Sequence, residues 1–167
     1  MPGPDRTSEK PILADSFAAG VYGSIVVTAL VAAMRDSHAS SRGSALSVLA
    51  TTSVFWLAHV WSQITGEQIY AGASFSRRRA VEIARAEWPL IEAGVGPTVV
   101  LLLGWAGVLS TRAASTGALA ICGLQLATWG YLVGRRAYGR RRFAAVSALG
   151  TLLFGSLLVA LEISVLH

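Results

Sequence analysis

The stretch RRAYGRRRFAAVSALGTLLFGSLLVALEISVL, residues 135–166, decides how this chain is read. Five arginines crowd its first eight residues, and from 143 onward a single charged side chain, Glu162, interrupts 24 residues. Crossing ~30 Å of hydrocarbon takes ~20 apolar residues of helix. Residues 143–166 therefore read as a membrane span with a basic anchor at its entrance.

Working outward, four more stretches have the same character: 17–34, 45–64, 90–109 and 116–133. Backbone polar groups find no partners in lipid, so each stretch must be helical. The fold class expected is all-α, a polytopic membrane bundle of five transmembrane helices. Its composition agrees, with 53% hydrophobic and 14% charged residues and a mean hydropathy of +0.56. The linkers are too short for a separate soluble core, so 17–167 reads as one transmembrane domain behind a flexible arm, 1–16.

The basic residues alternate with the spans. Arg6, Lys10, Arg77, Arg78, Arg79, Arg85, Arg135, Arg136, Arg140, Arg141 and Arg142 fall on one side, and only Arg35, Arg42 and Arg112 on the other. Eleven against three predicts, by the positive-inside rule, a cytoplasmic N-terminus and an extracellular C-terminus. Trp61, Trp88, Trp129, Tyr131 and Tyr138 register at the inner boundary and Trp105 at the outer one. A net charge of +5 in a soluble chain would suggest nucleic acid; here the arginines sit at span ends, and no nucleic-acid role is expected.

The longest linker holds a short cytoplasmic interfacial helix, about 76–88, with Ser76 at its cap position and Arg78 four residues before Glu82. Val81, Ala84 and Trp88 are its expected apolar face. Arg77, Arg78, Arg79, Arg135, Arg136, Arg140, Arg141 and Arg142 are the expected contacts to anionic headgroups of the bilayer, the principal partner. Small residues in 116–134, including Gly130 and Gly134, allow close helix approach, either within the bundle or in a homo-oligomer or a complex with another membrane protein.

Three features could carry chemistry, one of them Glu162, about four residues from the outer end of the last span, for which snorkelling to the outer interface is the simpler reading. Glu92-Ala93-Gly94-Val95-Gly96-Pro97 opens the third span; Pro97 has no N–H for the Ala93 carbonyl, and Gly94 and Gly96 loosen the helix, so a kink or partly unwound turn is expected there. His59 shares a face with Thr52, Phe55 and Gln63. Tyr22 and Glu92 lie at similar depth, making Tyr22, His59, Gln63 and Glu92 a candidate inner-leaflet polar site suited to proton relay or cation passage. The alternative for each is structural: a proline kink, a headgroup-reaching Glu92, and a His59 that anchors two helices.

No metal, cofactor or catalytic residue is expected. One histidine and one glutamate make too thin a ligand set, Cys122 is the only cysteine, and the sequence lacks His-Glu-x-x-His, Gly-x-Ser-x-Gly and phosphate-loop motifs. Residues 20–30 (GVYGSIVVTAL) and 55–61 (FWLAHVW) resemble uncharacterised small actinobacterial multi-pass integral membrane proteins. That resemblance implies a bacterial plasma membrane, implies no activity and transfers no functional residue. Two roles stay open: a small transporter- or channel-like component using the polar site, or a non-catalytic structural or regulatory component acting through helix and lipid contacts.

Overall fold

The structure is a computed structural model that describes residues 6–36, 39–71 and 76–165. It contains six helices and, among the described residues, no strand: α1 (Arg6–Asp36), α2 (Ser41–Ala71), α3 (Arg77–Ala86), α4 (Pro89–Trp105), α5 (Thr111–Tyr138) and α6 (Arg141–Val165). Four of them, α1, α2, α5 and α6, are long and apolar enough to cross a membrane. The pair α3–α4, bent by 45°, brings the number to as many as five.

Helix α4 is the hub, packed on α1, α2 and α5, while α6 packs on α5 and α1. The core is built from one stripe of each inner helix: Val27 and Val31 of α1, Ala45 and Val48 of α2, Ala93 and Leu101 of α4, and Ala118 and Cys122 of α5. These are three- and four-residue spacings or their multiples, as a helix buried along one face requires. The outer face is apolar too. Val146, Leu149, Leu153, Phe154, Leu157 and Leu161 of α6 are all more than half exposed, a continuous surface that suits lipid and not water.

The helix ends differ from the expected spans for identifiable reasons. Helix α1 starts at Arg6, so residues 6–16 continue the helix instead of forming an irregular arm. Helix α4 stops at Trp105, short of 109, because Gly107 adopts φ +78 and the amides of Val108 and Leu109 turn back to the Leu103 carbonyl. Gly139, at φ +68, ends α5 in the same left-handed manner. Pro97 lies inside α4. Helix α4 runs through it without an unwound turn, and the break falls at Glu87-Trp88, just before Pro89.

Candidate functional site

Packing accounts for the glycines around Pro97. A Cβ on Gly94 would come within 2.8 Å of the Thr52 methyl on α2, and one on Gly96 within 2.8 Å of Ile121 on α5. Gly23 on α1 lies against Leu90 and Ala93. Pro97 itself is buried. The missing side chains let α1, α2 and α5 close onto α4, which is the small-residue logic of helix association in lipid.

The same contacts fix where the four polar candidates point. The Tyr22 and His59 rings meet with centroids 5.2 Å apart, and Phe55 joins them at 6.1 Å from Tyr22. His59 Nδ1 lies 3.0 Å from the Phe55 carbonyl, which can only accept, so this contact is a bond in the tautomer that carries the proton on Nδ1. Gln63, one turn further along α2, is exposed and lines a cleft of about 50 Å³ against α3. Glu92 is exposed. At 3.6 residues per turn it lies with Val95, Val99 and Leu103, the exposed side of α4, whereas Ala93 and Leu90 face α1 and Gly94 faces α2. The structure thus pairs Tyr22 with His59, and places Gln63 at the α3 cleft and Glu92 on the exposed side of α4.

Other polar side chains, which sequence reasoning did not combine, occupy the middle of the bundle. Ser24, Thr28 and Thr52 are buried and each bonds the carbonyl four residues earlier. Cys122 is a free, buried cysteine of the same core. Thr98 Oγ1 and Gln125 Oε1 are buried without a partner among the described residues. The i, i+4 spacing of Ser24 and Thr28 inside an apolar run was the available signal. No three His, Cys, Asp or Glu side chains among the described residues converge on one point. The side chain of Glu162 lies outside the described residues.

Helix α3 is fastened to the end of α2. The Trp56 indole N–H donates to the Ala84 carbonyl at 3.0 Å, and Trp56 and Trp88 stack edge-to-face at 6.1 Å. Arg79 forks onto Glu67 of α2, with its Nη2 2.6 Å from Oε1, and also reaches Glu82 at 3.2 Å. These partners are each more than a third exposed, so such a pair contributes only ~0.2–1 kcal/mol. The buried residues of this segment are Ile83 and Glu87, while Val81 and Trp88 of the expected apolar face are exposed. Ser76 occupies the cap position but makes no capping bond, and the Arg78–Glu82 pair forms at 3.2 Å.

Arg79 first, and then Arg78, holds the Glu82 carboxyl below its usual range. A carboxylate with a depressed folded pKa contributes stability that is complete above its unfolded pKa and is lost as pH falls through the folded one. The network is therefore intact at neutral pH and opens only below the range where a free glutamate protonates. Trp56→Phe, which removes one indole bond and keeps the ring, is expected to weaken α3 docking by about 1 kcal/mol. Faster amide hydrogen exchange confined to α3 would register it.

Helices α4 and α5 run antiparallel, Gly104 lying by Ala114 at one end and Gly96 by Ile121 and Gln125 further along. The start of α4, the end of α5 and helix α3 consequently share one end of the bundle, the basic end. Of the eight arginines expected at headgroups, several have protein partners. Arg79 holds Glu67 and Glu82, Arg78 holds Glu82, Arg135 donates to the Gly139 carbonyl, and Arg136 lies 4.6 Å over the Phe17 ring. Phe17 in turn stacks on Trp129, whose indole fills the space left by Gly20. Arg77, Arg140, Arg141 and Arg142 remain exposed with no acidic partner among the described residues, and Arg85, outside the expected set, joins them. At the opposite end, Arg42 lies over the Trp105 ring at 5.5 Å.

No protein-family model, no curated protein and no solved structure matches this chain.

Proposed function

We propose that the protein is a non-catalytic structural or regulatory component of a bacterial plasma membrane, crossing it five times with the N-terminus in the cytoplasm. In this reading α4 crosses alone, α3 lies on the inner surface, and the basic end holds anionic lipid headgroups. The observation that carries it is the sorting of the arginines. After those with protein partners are set aside, Arg77, Arg85, Arg140, Arg141 and Arg142 are left exposed at one end of a bundle whose sides are apolar. Each such residue near an anionic surface contributes about 1 kcal/mol of attraction, reduced by salt.

The transporter- or channel-like reading needs Tyr22, His59, Gln63 and Glu92 around one cavity. It loses support because Glu92 is on the outward side of α4 and Gln63 is in the α3 cleft. The two readings separate experimentally. The full chain, reconstituted in phosphatidylcholine with or without phosphatidylglycerol, is expected to retain the anionic lipid selectively and to lose that selectivity at high salt. His59→Ala and Glu92→Gln should leave retention and abundance unchanged. A proton or cation flux in proteoliposomes that these two substitutions abolish would instead restore the transport reading.

A further inference from the structure

Helix α3 has two basic sides with different fates. Arg79 faces α2 and is taken by Glu67 and Glu82. On the other side Arg77, Arg78, Val81, Glu82 and Arg85 line one open groove of about 490 Å³. We propose that this groove binds the phosphomonoester headgroup of a membrane lipid, an inference that rests on the anionic-lipid reading above and names its preferred ligand class.

The charge balance favours an anion. Arg77 and Arg85 have no carboxylate partner among the described residues, and the one carboxylate at the groove, Glu82, is shared between Arg78 and Arg79. Three guanidinium groups therefore line a space containing one already divided negative charge. The stereochemistry favours a monoester. A phosphomonoester carries about −1.5 to −2 charges and three free oxygens near neutral pH. It can thus accept bonds from two planar guanidinium forks at once, whereas a phosphodiester offers fewer oxygens and a single charge.

The apolar neighbours point to a lipid as the source of the phosphate. Arg78, Val81, Arg85 and Trp88 follow one another at three- and four-residue intervals and so form a single stripe that alternates basic and apolar side chains. Val81 is 44% exposed on it and Trp88, which stacks edge-to-face on Trp56, is still 49% exposed, immediately before the apolar α4. Such a stripe meets headgroup and acyl chain together. The other basic cluster lacks this form. Arg140, Arg141 and Arg142 are consecutive and splay around the start of α6, while Arg135 and Arg136 are engaged with Gly139 and Phe17.

The test offers the purified full chain an equal mixture of phosphatidylcholine, phosphatidylglycerol and phosphatidic acid in detergent and counts bound lipids by native mass spectrometry. Phosphatidic acid should be enriched about fivefold over phosphatidylglycerol, the ratio expected from roughly one additional charge contact. The enrichment should vanish in Arg78→Gln/Arg85→Gln and persist in Arg141→Gln/Arg142→Gln. Equal retention of the two anionic lipids, both above phosphatidylcholine, would overturn the groove site and leave the general lipid reading standing. No preference for either over phosphatidylcholine would overturn both. Displacement of the lipid by an equal concentration of glycerol 3-phosphate would overturn the lipid as the ligand's source.

Discussion

Gly134→Leu is expected to separate α6 from the bundle, and Gly130→Leu to do the same one turn away. A Cβ at Gly134 would lie 2.8 Å from the Ala144 Cα and 2.9 Å from the Phe143 carbonyl oxygen; at Gly130 the corresponding atoms are the Ala148 Cα and the Ser147 carbonyl oxygen, both at 2.9 Å. The obstacles are backbone, so no rotamer change relieves the overlap. Overpacking of a tight interface costs about 1–3 kcal/mol, and immovable neighbours put each variant at the upper end. Since the other main packing partner of α6 among the described residues is α1, the double variant should lose it. A lowered midpoint of detergent denaturation, with new protease cleavage near the α5–α6 turn, would record this. Gly123→Leu is the control, because its nearest neighbour, a Leu152 methyl, is 4.0 Å away. Unchanged midpoints in Gly130→Leu and Gly134→Leu, together with loss of a homo-oligomer, would assign the stripe to an intermolecular contact instead.

The second large effect is expected for Gly94→Leu, at the α2–α4 interface. Thr52 stands 2.8 Å from the added Cβ by its methyl and 3.1 Å by its hydroxyl, which already bonds the Val48 carbonyl at 2.9 Å. A β-branched side chain in a helix has little rotamer freedom. The leucine must therefore push α2 away or break the Thr52 bond, which adds a buried unpaired hydroxyl at about 1–3 kcal/mol to the packing cost. Gly94→Ala should already destabilise, by less. The same variants distinguish two meanings of glycine in this segment: if Gly94 served to unwind a binding turn, alanine would impair a ligand-dependent property while leaving the denaturation midpoint in place.

That distinction marks how far the sequence could be read. Four of the apolar stretches announce helices long enough to cross a membrane, and the tally of arginines announces a basic end; both depend only on position along the helix axis. What a side chain faces depends on rotation about that axis, and that is set by neighbouring helices. Glu92 illustrates it, since its depth matched that of Tyr22 and His59 while its direction, set by Ala93 on α1 and Gly94 on α2, turned it outward. Tyr22 and His59 met because two helices happened to bring matching faces together. Gly94 and Gly96 were ambiguous for a different reason. An absent Cβ serves unwinding and close packing equally, and only the atoms opposite it decide between them. The paired arginines were half legible: Arg78–Glu82 follows from helix spacing, whereas Arg79–Glu67 spans twelve residues and needed α3 folded back against α2.

In the proposed arrangement α3 lies on the cytoplasmic surface while α4 alone crosses to the other side. Its most direct test labels single cysteines, Val81→Cys on α3 and Val108→Cys beyond α4, in a Cys122→Ala background. The reagent is a membrane-impermeant thiosulfonate, applied to intact cells and to inverted vesicles. Both positions are exposed, and the native Cys122 is buried. Val81→Cys is expected to react only in inverted vesicles and Val108→Cys only in intact cells. Reaction of both from the same side, or a Val81→Cys that reacts from neither because α3 is sunk in hydrocarbon, would contradict it.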